Sequence, residues 1–380
     1  MPEHRSNFKR SAPLWLALAL ILLFTWTVSA GSGTTLYLPM VSKNQPFTPT
    51  PTPTRTPTLI PPLPADYSVS YYVQTTSSLE AYNYGCALGR TDRDLPGTQD
   101  RLVILDFGQP WYENGQYGTI IFRIQPVTEF VFASFYTIRE VAQNYAAGYW
   151  NCTGSDTTSH LTLGIGTSNY LRADMQNADR ARQHGQLWAQ MVLEVNNWLN
   201  STGYVSQVYA AGANDMELFW ATPTLTRAWV DGFNAADNNS AIYYNYGACE
   251  GCPQSYYSSI GSWTGGVNYS WHIEDVWYIS WGVQPAWTVP EIYLSTGANA
   301  RQWQTLSKYS AVQKGSRIDF SGSMTQYGAC QQRGGCTFDS SDTMNTPQEG
   351  WNQLWSATYA DPDTRMLLLR WMTDIKYWVK

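Results

Sequence analysis

Two carboxylates two positions apart, Asp215 and Glu217 in GANDMELFW (212–220), follow a run of small and apolar residues. If the backbone there is extended, both side chains point the same way, with Cα atoms roughly 6.5 Å apart. Acids this close do not titrate alike, because ionising one disfavours ionising the other. The more enclosed one can keep its proton near neutral pH and serve as a general acid while its neighbour stays charged. Glu217 has the longer reach and is the candidate acid; Asp215 would orient it or stabilise positive charge. Asp106, ending the apolar run of RLVILDFG (101–108), is a second convergent acid. Asp319, in SRIDFSG (316–322), faces either a barrel interior or a helix with a partner of its own. The structural alternative for Asp215 and Glu217 is a turn cap or a grip on an ordered backbone segment.

Aromatic rings near strand ends offer flat apolar area with polar handles, the surface on which sugars stack. The chain has eighteen Trp and twenty-six Tyr, enough to line a groove as well as a core. Trp111, Trp220, Tyr244, Tyr246, Trp281 and Trp287 lie at or just after expected strands and are the candidate ligand-binding residues, with Tyr170 beside them.

These residues meet only if strands carry them to one place. From Asp66 onward, short β-rich runs alternate with longer helical patterns. The expected strands are 67–74, 101–108, 160–167, 204–213, 241–247, 275–282, 316–322 and RWMTDIKYW near the end, with seven helical regions between them. Pro223 following Thr222, and Thr346-Pro347 with Glu349, read as helix starts. Eight strands with helical crossovers make a (β/α)8 barrel the expected fold, in which chemistry sits at the carboxyl ends of the strands. A doubly wound open sheet is the alternative. In strand four, Tyr209, Ala211, Ala213, Asp215 and Glu217 share one parity, and the small Ala side chains leave room for a bound ring.

Several chemistries are excluded. No GxGxxG follows a strand into a helix and no GxxxxGK[ST] occurs, so nucleotide cofactors have no support and none is expected. No GxSxG elbow accompanies the Ser and His residues. Four His in the whole chain, one near the start, do not suggest a His-rich metal site, and no metal is expected. The formal charge is −6, and loss of the first thirty residues removes three bases and one acid to leave −8. No basic run of the length nucleic acid requires remains.

Residues 1–30 join a basic start to the apolar run PLWLALALILLFTWTV and a small-residue exit at Val28, Ser29 and Ala30, a secretory signal peptide cleaved after Ala30 or, alternatively, an uncleaved anchor. Residues 31–65 are rich in Thr and Pro; the repeated Pro removes donors and fixes φ, so the stretch is expected to form an extended spacer. Residues 66–380 are the single barrel domain. Export predicts oxidised cysteines. Spacing suggests Cys249 with Cys252 and Cys330 with Cys336, leaving Cys86 for Cys152, although six cysteines permit fifteen pairings.

An acid ending strand two, a D-x-E after strand four and aromatic strand ends are similar to secreted glycoside-hydrolase-like barrels distantly related to family 25 lysozymes and family 18 chitinases. Those families place a D-x-E at the fourth strand with Glu as general acid, which maps onto Asp215 and Glu217. More closely, GANDMELFW with TRAWVDGF, EDVWYISWG and TGANARQW (296–303) resemble an uncharacterised group of secreted bacterial barrel proteins, over most of residues 66–380. LYLPMV (36–41) is similar to a short segment preceding Thr/Pro spacers in secreted proteins of filamentous Chloroflexi. The resemblance implies a polysaccharide or peptidoglycan ligand and an association with the cell envelope through the N-terminal region. The chain departs from the chitinase-like D-x-x-D-x-D-x-E run at Ala211, Gly212 and Asn214, and YSVSYYVQ has no interior acid. Two functions therefore compete: hydrolysis of cell-wall or extracellular polysaccharide, and noncatalytic glycan binding or a structural envelope role on a degenerate barrel site.

Overall fold

In the computed structural model the described residues are Pro64 and 66–378, apart from 124–129, 155, 157 and 338–343. The expected signal peptide and nearly all of the expected spacer lie outside them. Eight parallel strands form one sheet: β1 (Ser68–Tyr72), β2 (Asp100–Asp106), β3 (His160–Ser168), β4 (Val208–Asp215), β5 (Tyr243–Asn245), β6 (Ala286–Thr288), β7 (Gly322–Thr325) and β8 (Trp371–Tyr377). Each pairs with its sequence neighbour from β1 to β6; β8 pairs with both β1 and β7. The seam between β6 and β7 closes just past β6, through a parallel bridge between Glu291 and Met324 and the backbone bonds Ser321 N–H to Thr288 O, Met324 N–H to Pro290 O and Ile292 N–H to Met324 O. This is a nearly closed (β/α)8 barrel, not the open doubly wound sheet.

Strand parity divides the core in two. Leu102, Ile104, Ala211, Ala213, Tyr244, Val289, Met324 and Ile375 fill the barrel interior. Val103, Leu105, Leu163, Ile165, Val208 and Ala210 face outward against the helices. The connecting helices are α1 (Ser78–Asp94), α2 (Phe135–Cys152), α3 (Ala178–Thr202), α4 (Pro223–Ala236), α5 (Ile273–Trp277), α6 (Ala298–Tyr309) and, before β8, α8 (Pro347–Ala360), with a short α7 (Tyr327–Gln332) following β7. Ser77, Ser134 and Asn177 cap the first three by accepting N–H bonds from the first turn, and Thr346 with Glu349 makes the expected capping box. Thr222 occupies the cap position before Pro223, but its side chain makes no capping bond. A Cβ on Gly85 would lie 2.0 Å from Tyr145 O, and one on Gly148 would lie 2.0 Å from Tyr82 O. That near contact of α1 and α2 sets Cys86 and Cys152 5.0 Å apart at Cα, within disulfide range. Cys249–Cys252 and Cys330–Cys336 are also bridged, so no cysteine is free.

Two expectations need correction, and one element was not foreseen. Residues 275–282 are not strand six. Ile273, Val276, Ile279 and Ser280 are buried at helical spacing, His272 N–H donates to Asp275 Oδ2 to start α5, and a π-helical turn carries it to Gly282. Strand six is 286–288 instead. The expected strand seven at 316–322 joins the sheet only at its end, through Ser321 and Gly322; Ile318 and Phe320 ahead of it bury among the helices, with Phe320 edge-on to Trp303. After β2, Gln109–Glu113 and Gln116–Ile120 form a hairpin joined by Phe132–Ser134 into a small antiparallel sheet. Asn114 and Gly115, both at positive φ, make its turn, and this Asn-Gly pair was the sequence signal for it.

Candidate functional site

The carboxyl ends of the strands carry four enclosed acids. Asp106 ends β2 and is fully buried; Asp215 ends β4 and Glu291 follows β6, each 4 % exposed; Glu217 is half-buried. One carboxylate oxygen each from Asp215, Glu217 and Glu291 lies within 4.8 Å of the other two. Period-two alternation survives beyond β4: Met216 and Leu218 pack among the helices, leaving Asp215 and Glu217 on the parity of Ala211 and Ala213.

The backbone at Glu217 is pinned rather than strand-paired. Asn169 accepts its N–H at 3.0 Å, donates to its carbonyl at 3.0 Å, and donates again to Thr226 Oγ1. Gly247 lies against Met216, where an added Cβ would stand 2.3 Å from its backbone nitrogen. Glu291 is set by the barrel seam, with its N–H donating to Gly247 O. The Tyr293 hydroxyl donates to Glu291 Oε1 at 2.7 Å.

Electrostatically the four acids stand without counter-charge: among the described residues, none has a Lys, Arg or His ion-pair partner. Burial pushes Asp106 up to about 7, against the lowering effect of the Gly108 N–H that its Oδ1 accepts and of the nearby Tyr246 hydroxyl. Tyr246 itself donates to Thr167 O at 3.1 Å, and no hydrogen bond reaches Asp106 Oδ2. Glu217 rises to about 7 through burial and the negative charge of exposed Glu250. Asp215 rises well above its ordinary value through burial and then through Glu291, Glu217 and Asp106, and its Oδ1 is unpartnered. Glu291 rises likewise, through burial and then Glu217. Buried carboxylates either gain a cation or take up protons. Asp215, Glu217 and Glu291 are the groups an ion would engage, and an all-oxygen set suits a hard divalent cation.

Tyr246 is the candidate aromatic that touches the acids. Gly166 makes this possible: a Cβ there would lie 3.0 Å from the Tyr246 hydroxyl and 3.2 Å from Asp106 Cα. Tyr244 points elsewhere, meeting Trp371 at the start of β8 edge-on at 6.0 Å, near the amino ends of the strands. Trp281 is buried and edge-on to Trp287 at 5.5 Å. Trp111 sits on the hairpin opposite Gly118. Trp220, edge-on to Tyr170, lines a surface depression of about 190 Å³ with Phe219 and Arg172. A second depression, about 610 Å³, lies between the hairpin and α2 and α3. None of the four acids lines either one. Asp319 is not in the mouth; it precedes β7 and pairs with Arg317 at 2.9 Å.

Sequence reading missed Glu291, Tyr293, Asn169 and a cluster at the mouth in which Tyr72 packs on Phe122 and Tyr377, ring centres 4.7 and 5.3 Å away. The Tyr72 hydroxyl accepts from Gln326, and its phenol is held well above its ordinary pKa by burial and then by negative charge on Asp215, Glu291 and Asp106. Tyr72 and Tyr377 could have been found, since both lie in the strand runs YSVSYYVQ and RWMTDIKYW. Glu291 could not be placed while strand six was set eleven residues too early. No protein-family model matches the chain, and no curated protein matches it. What is shown is the architecture alone: a disulfide-braced (β/α)8 barrel, a fold that hosts many unrelated functions.

Proposed function

We propose that the protein is an exported glycoside hydrolase acting on cell-wall or extracellular polysaccharide. The observation that carries this reading is the convergence of Asp215, Glu217 and Glu291 within 4.8 Å at the catalytic end of a (β/α)8 barrel. Glycosidic cleavage needs a carboxylic acid that keeps its proton near neutrality beside a second carboxylate. Glu217 suits the first role, being half-buried, raised to about 7 and fixed by Asn169. Asp215 shares its parity and would hold hydroxyl groups or positive charge. The half-buried rings of Phe122 and Tyr377 supply stacking area beside the acids. Three disulfides support export to an oxidising compartment.

The test is release of reducing ends from peptidoglycan, chitin and plant glycans by wild type, Glu217→Gln and Asp215→Asn. Glu217→Gln is expected to lose about 10²–10⁴-fold in rate. Wild-type hydrolysis that survives unchanged in both variants would remove the acids from the mechanism. One observation favours a second reading, glycan binding without turnover: the depression beside Trp220 is separate from the acids. Glycan affinity lost in Trp220→Ala, with no hydrolysis by wild type, would select it.

A further inference from the structure

Resting on hydrolysis as the reaction, we propose that Glu291 is the nucleophile and that the enzyme retains anomeric configuration. Glu291 and Glu217 approach from different strands, following β6 and β4, and their nearest oxygens lie within 4.8 Å. Retaining enzymes hold their two carboxyl groups about 5–5.5 Å apart; inverting ones leave about 6.5–9.5 Å to seat a water as well as the anomeric carbon. Carboxylate oxygens within 4.8 Å of each other fall on the short side of that division. Tyr293 fixes Glu291 by donating to Oε1, and the β6–β7 seam fixes its backbone, leaving Oε2 as the attacking atom. Asp215, only 4 % exposed and on the inward parity, has an unpartnered Oδ1 and is the group assigned to accept a sugar hydroxyl. Glu217, half-buried and within reach of the charge of exposed Glu250, is the member of the three nearest solvent.

In the first step, an oxygen lone pair of Glu291 forms an ester bond to the anomeric carbon. The glycosidic C–O bond breaks, its electron pair stays on the leaving oxygen, and that oxygen takes the Glu217 proton. In the second step, water attacks the same carbon and gives its proton to Glu217 while the ester electrons return to Glu291. The sum is one glycoside plus one water giving two hydroxyl-bearing products, with both carboxyl groups restored.

Product configuration on the intact, oxidised protein is followed by proton NMR in the first minutes of hydrolysis, using whichever polysaccharide wild type cleaves. The retained anomer is expected. In addition, Glu291→Gly is assayed with aryl glycosides of the same sugar in the presence of azide, and a glycosyl azide of inverted configuration is expected. An inverted first product from wild type would overturn the role of Glu291 while leaving hydrolysis intact. Absence of hydrolysis by wild type on every glycan would instead sink the reading beneath it. The stereochemical measurement needs no variant, so a misfolded Glu291→Gly does not weaken it.

Discussion

Replacing Asp106 by Asn should stabilise the protein in alkaline solution and leave it unchanged in acid. Asp106 is fully buried, and its carboxyl is raised from an ordinary 3.8 to about 7. In the unfolded chain it ionises at about 3.9. Between those values the folded protein holds a proton that the unfolded chain has released. Stability therefore falls as pH rises, by about 1.4 kcal/mol per pH unit, and levels off above about 7. Across that whole interval the penalty reaches about 4 kcal/mol, a large share of an ordinary folding free energy. Asn is neutral at every pH, and its Oδ1 can still accept the Gly108 N–H now bound at 2.8 Å. Its Nδ2 takes the place of the unpartnered Oδ2 beside the Tyr246 hydroxyl, which has a free lone pair because its own proton goes to Thr167 O. Urea denaturation of the oxidised protein at several values between about pH 4 and 8.5 should show the two forms coinciding near pH 4 and diverging to about 4 kcal/mol by pH 8. A gap that is constant across this range, or a variant less stable at the alkaline end, would show that Asp106 is paired in a way that the geometry does not provide.

Glu217 must be protonated to act, so kcat/KM should fall about tenfold per pH unit above about 7, and a profile flat to about pH 9 would exclude it as the acid. Asn169→Ala removes both bonds to the Glu217 backbone and should cost about 1–3 kcal/mol in denaturation; its distinctive signature is a displaced alkaline limb in the pH profile. Loss of Cys86–Cys152, spanning 66 residues, should cost about 4 kcal/mol against about 2 for Cys330–Cys336, spanning 6, and equal losses would count against chain entropy as the cause. Gly148→Ala puts a methyl 2.0 Å from Tyr82 O and should part α1 from α2, lowering stability by at least about 1–3 kcal/mol; an unchanged thermal midpoint would contradict that contact.

How much of this was legible depended on local pattern. RLVILDFG read as a buried parallel strand because it is a nearly unbroken apolar run of the kind covered on both faces, and it is one; HLTLGIGT, expected as the next strand, is buried as well. The common parity of Asp215 and Glu217 was legible from strand alternation, since both fall in step with inward Ala211 and Ala213. EDVWYISWG failed because aromatic and β-branched residues suit a strand as well as a buried helix, and the i, i+3 spacing of Ile273, Val276 and Ile279 was the weaker cue. That one misplacement hid Glu291, which follows three-residue β6 after Val289 and Pro290 and is held at the seam to β7. Asn169 was illegible for a different reason. Its partners are backbone groups 48 residues away, and no spacing within a sequence announces a contact of that kind.

The same chain shows how it treats an acid whose work is structural. Asp92 is buried at the amino end of the barrel and accepts from Arg101 at 2.9 Å and from the Tyr149 hydroxyl at 2.9 Å. Asp374, 4 % exposed on β8, accepts from Thr325 Oγ1 and from the N–H groups of Tyr327 and Gly328, and so starts α7. Each buried oxygen there has a donor, as a folded interior ordinarily requires. At the carboxyl end, by contrast, Asp106 and Asp215 each leave an oxygen bare, Glu291 and Glu217 raise the proton affinity of Asp215, and Glu217 raises that of Glu291. A turn cap or a backbone grip would satisfy these oxygens in the way Asp374 is satisfied. Two bare carboxylate oxygens within one cluster of acids, on the face where strand ends converge, are what a hydroxyl-rich ligand would complete.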